Sequence, residues 1–155
     1  MAGKDTYEVV RETEVDAPSA VIHDLIVDFH EWLKWSPWED VDPDLQRTYS
    51  GADRGFGAVY EWSGNRKAGQ GRMAITGDEP LEVTVDLTFL KPFKASNVTT
   101  FELTPAGSGT KVTWRMVGQK TLATKVMGIF TSMDKMIGPD FEKGLARLKD
   151  TASAP

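Results

Sequence analysis

Seven polar side chains in this sequence are placed where they could move or steady a proton: Glu39, Tyr60, Glu61, Arg72, Asn97, Glu102 and Arg115. Carboxylates and phenols exchange protons, while guanidinium and amide groups hold the charge that forms. Most lie in stretches where apolar residues alternate, and alternation assigns them sides. Tyr60 and Trp62 fall on one side and Glu61 on the other. Arg72 opposes Met73 and Ile75, and Arg115 opposes Trp114. With Trp62, Met73, Ile75 and Trp114 inward, Glu61, Arg72 and Arg115 face water, because an uncompensated buried charge is costly. Tyr60 and Asn97 are then the better polar groups for an interior; Asn97 shares its face with Thr99, Phe101 and Leu103. These neutral donors and acceptors suit orienting a molecule more than transforming it. The seven offer no compelling catalytic dyad.

Other chemistry is poorly supplied. The chain has no cysteine, which excludes disulfides, thiolate nucleophiles and cysteine-held zinc. It has no G-x-S-x-G elbow, and Ser63 within Trp62-Ser63-Gly64 reads as the start of a turn. His23 and His30 are the two histidines, and the run from His30 lacks the second histidine of a helical zinc site. Both read as surface or capping residues, so neither a metal nor a cofactor is expected. Gly51, Gly55 and Gly57 lead into a strand with no Lys-Ser/Thr after them, which is a hairpin connection rather than a phosphate cradle. A net charge of -5 and a pI near 5.0 argue against nucleic acid and against anionic membranes. Met1 to Glu8 has no apolar core of a signal peptide, and no apolar run approaches the ~20 residues of a membrane span. These features predict a cytoplasmic protein, monomeric or weakly dimeric, with no stable membrane association. Its 155 residues predict a single domain over 1–155, with a core of about 7–149.

The elements that must position these groups are legible from period. Tyr7 to Val15 alternates as a half-buried strand. Asp16-Ala17-Pro18-Ser19 then signals a helix start with proline in the opening turn, followed by Val21, Ile22, Leu25, Ile26 and Phe29 at helical spacing. A short irregular piece carries Trp32, Leu33 and Trp35. Six further strands are expected over Leu45–Ser50, Ala58–Ser63, Gly69–Gly77, Leu81–Leu90, Ala95–Thr104 and Thr110–Gln119. From Leu122 through Ile129, Phe130, Met133, Ile137, Phe141 and Leu145 to Leu148, apolar residues recur every three or four positions. That pattern predicts a helix of about 27 residues and roughly 40 Å, with a kink or break at Gly138-Pro139 and fraying from Thr151.

A curved antiparallel sheet can grip such a helix, and a straight cylinder against a curved surface leaves space at one end. Trp38, Tyr60, Trp62, Phe89, Asn97, Phe101, Trp114, Met116, Phe130 and Met133 are the candidate lining of that space, apolar with a few placed polar groups. Taken singly, each is more readily explained as core packing than as lining. Trp32, Trp35 and Trp38 have two readings: a plug beneath the short helices, or the mouth of a pocket.

Four segments carry a resemblance. EVDAPSAVIHDLIVDFHEWLKWSPW (Glu14 to Trp38), GADRGFGAVYEWSG (Gly51 to Gly64), GSGTKVTWRMVG (Gly107 to Gly118) and FEKGLARLK (Phe141 to Lys149) occur in the order found in one family. The sequence resembles the polyketide cyclase/dehydrase family of the START-like (SRPBCC, birch-pollen-allergen-like) superfamily over Glu8 to Lys149. The resemblance implies an α+β helix-grip fold: six or seven antiparallel strands around a long C-terminal helix, with short helices after the first strand. It also implies a pocket for a lipid, sterol or polyketide-like molecule. Binding of such a small hydrophobic molecule without evident catalysis is the leading expectation. A cyclase, aromatase or dehydratase using acid–base groups in the cavity, and a chaperone-activator type of protein-interaction domain, stay open beside it.

Overall fold

Alternating Val, Thr and aromatic residues favour extended backbone, and they build the sheet here. The computed structural model describes residues 6–39, 41–91, 94–119 and 133–153, without the side chains of Met133 and Met136. Strands β1 (Thr6–Val15), β2 (Gln46–Gly51), β3 (Ala58–Ser63), β4 (Gln70–Glu79), β5 (Glu82–Lys91), β6 (Ala95–Ala106) and β7 (Gly109–Gln119) pair in the order β1-β7-β6-β5-β4-β3-β2. Every pairing is antiparallel. Helix α1 (Ser19–Val27) and a 3₁₀ turn (Phe29–Lys34) follow β1, and α2 (Met133–Ser153) closes the chain. This is the helix-grip α+β architecture expected from the sequence. Register shifts in β4–β5, at Gln70/Gly71 and Ile75/Gly77, add local bend to the curved sheet.

Register divides the concave face into rows. One row crosses the whole sheet: Tyr49, Tyr60, Met73, Leu87, Asn97, Gly118 and Tyr7. On one side of it lies a row of Trp62, Gly71, Phe89 and Ala95. On the other side come Ile75, Val85, Thr99, Met116 and Val9, then Val83, Phe101, Trp114 and Arg11. α1, the 3₁₀ turn and the second half of α2 cover the latter rows. There Val83, Val85, Phe101, Trp114, Phe141 and Leu148 are fully buried.

Two indoles lock the short helices in place. Trp32 Nε1 donates to the Ile26 carbonyl at 2.7 Å, and Trp35 Nε1 to that of Leu25 at 2.9 Å. Carbonyls at the end of α1 have no intrahelical partner, so these bonds act as a C-terminal cap made by the next turn of chain. The glycine run is the expected hairpin connection. Gly51 and Gly57 sit at φ of 71° and 92°, where a Cβ is penalised, and the Gly55 N–H donates to Val27 at 2.8 Å.

Several local expectations are corrected. Pro18 precedes α1 instead of entering it, its carbonyl accepting from Val21 and Ile22. Val21 is exposed, because the nine-residue helix presents Ile22, Leu25, Ile26 and Val27 to the core. Leu81 belongs to the exposed β4–β5 turn, not to the buried side of β5. α2 runs unbroken through Gly138 and Pro139. Arg11 holds that stretch: its Nη1 is 2.6 Å from Asp134 Oδ1 and its Nε 2.8 Å from Glu142 Oε2. A Cβ on Gly138 would strike the guanidinium, so this glycine lets β1 and α2 come together. Thr151 to Ser153 are helical, with Ala152 buried and Thr151 Oγ1 donating to Arg147 at 2.8 Å. The stretch from Leu122 to Phe130 lies outside the described residues.

Candidate functional site, an apolar cavity with two polar stations

Among the described residues, a partly open cavity of about 320 Å³ lies over the rows of Tyr60 and Trp62. β3 to β6 supply its floor: Tyr60, Trp62, Met73, Leu87, Phe89 and Asn97. Phe29, Trp32, Ser36, Trp38 and Glu39 come from the 3₁₀ turn and the segment after it, and Ile137 and Asp140 from α2. Most of this surface is aromatic or aliphatic, as in pockets for small organic molecules.

Glycine shapes the floor. Trp62 lies over Gly71, where a Cβ would overlap the indole, and its Nε1 donates to the Ala68 carbonyl at 2.9 Å. Phe89 meets Trp62 edge to face at 5.8 Å. At the far side, the Tyr7 hydroxyl occupies the space above Gly118, beside Asn97.

Two polar stations break the apolar lining. The first is Glu39, whose side chain is 10% exposed. The Tyr60 hydroxyl donates to it, 3.1 Å from Oε2 and 3.3 Å from Oε1, and Arg47 Nε stands 3.5 Å from Oε1. Arg47 Nη2 also donates to the Glu39 backbone carbonyl at 3.0 Å. A carboxylate in an apolar wall needs such compensation. Burial pushes the Tyr60 phenol far above its ordinary range, and the neighbouring Glu39 charge adds to the shift, so Tyr60 stays a protonated donor. The second station is Asn97, 5% exposed. Its Oδ1 accepts from Thr99 Oγ1 at 3.3 Å, and its amide lies beside the Tyr7 hydroxyl over Gly118. Burial also raises the Tyr7 phenol, with the nearby Asn97 amide acting in the opposite sense.

Of the ten residues picked from sequence as lining, Trp38, Tyr60, Trp62, Phe89, Asn97 and Met116 border the cavity. Phe101 and Trp114 do not; they are 0% and 1% exposed inside the core, packed on each other at 5.0 Å. Both face inward as expected, but two rows away, where Trp35 and Phe141 fill the space. Phe130 and the Met133 side chain lie outside the described residues. Sequence reasoning passed over Tyr7, Phe29, Met73, Leu87 and Ile137 as lining, and the row through Tyr60 and Asn97 is the signal that unites three of them. The three tryptophans split between the two readings: Trp35 is a plug, Trp38 is cavity wall, and Trp32 serves as both. Glu61 and Arg72 face water, and Arg115 pairs at the surface with Glu8 and Glu102.

A second depression, about 400 Å³ between α1 and the β4–β5 turn, is shallow and open. Its His23 Nε2 is already paired with Asp78 Oδ1 at 2.6 Å, so the deeper, apolar cavity is the stronger site. Asp28 caps the 3₁₀ turn by accepting from the His30 N–H at 2.9 Å, and the His30 ring, 2.8 Å from the same carboxylate, stacks on Tyr49 at 4.0 Å. Among the described residues, no group of three or more His, Asp or Glu is arranged to hold a metal ion, and no helix is long and apolar enough to cross a membrane.

The family described as polyketide cyclase/dehydrase and lipid transport matches residues 6–153. The chain belongs to that family. Solved structures agree on the fold. A protein from Chromobacterium violaceum superposes with a TM-score of 0.69 at 13% identity, covering 96% of this chain and 99% of its own. The major latex-like protein 151 of Panax ginseng gives 0.66 at 17% identity, covering 97% and 99%. The di-domain ARO/CYC BexL of the BE-7585A biosynthetic pathway gives 0.69 at 14% identity; 99% of this chain matches 52% of BexL. No curated protein matches the sequence.

Proposed function

We propose that this family member binds a compact, largely apolar molecule in the cavity above β3 to β6. The observation that carries the reading is a partly enclosed, mostly apolar space of about 320 Å³ walled by Trp38, Trp62 and Phe89. At about 30 Å³ per water, it has room for roughly ten waters, or a molecule of two or three fused rings. The family's description joins polyketide cyclase/dehydrase with lipid transport, and a lipid suits the apolar lining. The cysteine-free sequence suits a reducing cytosol. The test is calorimetric titration with naphthalene derivatives and short-chain lipids. Saturable one-to-one binding supports the reading, and no heat from any of them removes it.

One observation favours a second reading, an enzyme of cyclase, aromatase or dehydratase type. Glu39 puts a carboxylate on the wall of an apolar cavity, where it could accept a proton from a bound carbon chain. Incubation with a synthetic poly-β-ketone thioester tests it. A product distribution that differs from the buffer reaction, and reverts with Glu39→Gln, supports catalysis. Identical distributions with and without protein count against it.

A further inference from the structure

Exposed apolar side chains are unevenly spread over the molecule. Six large ones are exposed among the described residues, and three of them, Val21, Phe56 and Leu81, gather at the open depression between α1 and the β4–β5 turn. Ala20, Pro80 and Leu81 line that depression, and Val21 follows Ala20 on α1. Phe56, 71% exposed, joins from the β2–β3 loop, because Gly55 before it sits against the turn: a Cβ there would stand 2.7 Å from Asp78 Oδ2. Singly exposed apolar residues are ordinary, but several around one hollow mark a contact surface.

The three elements are tied together. Arg54 Nη2 lies 2.6 Å from Asp24 Oδ1, joining the loop to α1, and His23 Nε2 lies 2.6 Å from Asp78 Oδ1, joining α1 to the end of β4. The Gly55 N–H donates to the Val27 carbonyl, and the Leu103 N–H to that of Leu81, each at 2.8 Å. A surface already held in place loses little freedom when a partner arrives.

Charge decides what could cover this patch. With Asp24 and Asp78 paired, Asp53, Glu79 and Glu82 remain, exposed and without an ion pair among the described residues. Glu79 and Glu82 are register partners beside the β4–β5 turn, so like charges face each other across the strands. That arrangement is destabilising, and a cation placed between them relieves it. Anionic lipid and nucleic acid are repelled by such a rim, and a second copy of this chain, at net charge -5, brings mostly like charge to it. We propose that this face docks a basic segment of another protein, its Lys or Arg side chains toward Glu79 and Glu82 and its aliphatic or aromatic anchors among Val21, Phe56 and Leu81. The surface shares no lining residue with the cavity and does not rest on the binding reading above.

Short fluorescein-labelled peptides test it by anisotropy on the wild-type protein. Three carry leucine at helical spacing with Lys, Gln or Glu between, and a fourth keeps the Lys and replaces leucine by serine. The lysine–leucine peptide is expected to bind saturably, roughly tenfold or more tighter than the other three. Its affinity should fall severalfold as salt rises from about 50 to about 300 mM. Phe56→Ser and Leu81→Ser alter side chains already in water, and each is expected to weaken binding severalfold, as is the pair Glu79→Lys and Glu82→Lys. Glu61→Lys, at an exposed glutamate away from the depression, should leave it unchanged. If a variant fails to fold, the peptide series decides alone. Equal binding of the lysine–leucine and lysine–serine peptides, an equal loss with Glu61→Lys, or no saturable binding overturns the inference. Self-association of the protein that disappears in Phe56→Ser assigns the face to a second copy and overturns it too. Naphthalene titration of Phe56→Ser should match the wild type, so the cavity reading stands or falls separately.

Discussion

Both ends of the concave face are lined with aromatic rings, yet among the described residues one end is solid and the other borders a cavity. At the solid end Trp114 stacks on Phe141 at 4.1 Å with an 8° tilt, and Trp35 and Phe101 meet it at 5.6 and 5.0 Å. Gly144 permits this, because a Cβ there would press on Trp114 and Pro37. At the open end Trp62 lies against Gly71, Phe89 meets it edge to face, and Phe29 from the opposing layer reaches Tyr60 at 5.8 Å; the Tyr60 hydroxyl donates to Glu39. Both ends use a glycine to seat an indole. Among the described residues, α2 packs Phe141, Leu145 and Leu148 down on one end and presents Ile137 and Asp140 to the other. Aromatic content alone therefore does not distinguish core from pocket; the polar groups between the rings, and the helix above them, do.

Substituting one ring at each end gives the largest contrast. Trp114→Ala is expected to cost about 3–5 kcal/mol in chemical denaturation, a large share of the 5–15 kcal/mol typical of a domain. Phe89→Ala, at a half-buried ring of the open end, is expected to cost about 1–1.5 kcal/mol and to weaken naphthalene binding instead. Equal stability losses would erase the distinction.

The two seating glycines sharpen it. Gly71→Ala forces the Trp62 indole or the Thr88 carbonyl to move and is expected to cost about 1–3 kcal/mol, with probe affinity falling on the order of tenfold. Gly144→Ala gains helix propensity while crowding Trp114, for a net cost of roughly 0–2 kcal/mol, with probe affinity unchanged. Loss of binding in both would mean that the two ends are mechanically coupled.

A smaller effect reports on the polar side of the open end. Tyr7, Tyr49 and Tyr60 are all the tyrosines in the chain, and each phenol is raised above 10.0, with burial the largest cause. Glu39 adds to the shift of Tyr49 and Tyr60. A raised folded value means the contribution to stability is complete below pH 10 and is lost as pH climbs through the folded values, since the unfolded chain gives up its protons first. Phenolate absorbance of the folded protein should therefore lag behind that of the unfolded chain. Phenolate appearing at the same pH in both states would place these hydroxyls in water.

The smallest effect belongs to neither end. Arg11 holds the Asp134 carboxyl below its ordinary 3.8, and that contribution is present above pH 4 and fades as pH falls through the lowered value. Arg11→Gln should remove this acid sensitivity, with a stability loss that shrinks in high salt.

The sheet was legible in the sequence because alternation is a local signal. Val83, Val85 and Leu87 announce a strand whatever lies beside it, and the turn residues mark its ends within a residue or two. The family resemblance supplied the rest of the architecture. Inward direction was legible too, including the inward turn of Phe101 and Trp114. Which inward residues meet a cavity was not, because that depends on cross-strand register, and register is a property of pairs. Glu39 appeared only as one of seven candidates, since it lies in an aperiodic segment where no alternation tells which way a side chain points. The roles of the tryptophans turned on hydrogen bonds from Trp32 and Trp35 to α1 carbonyls, which no spacing rule encodes.

The most direct measurement is an NMR search for contacts between bound 2-acetonaphthone and the protein. The expected result is intermolecular nuclear Overhauser effects to the Trp62 indole, the Met73 methyl and the Phe89 ring, and none to Trp35 or Trp114. Contacts confined to exposed side chains such as Phe56 and Leu33, or to no part of the protein, would contradict it.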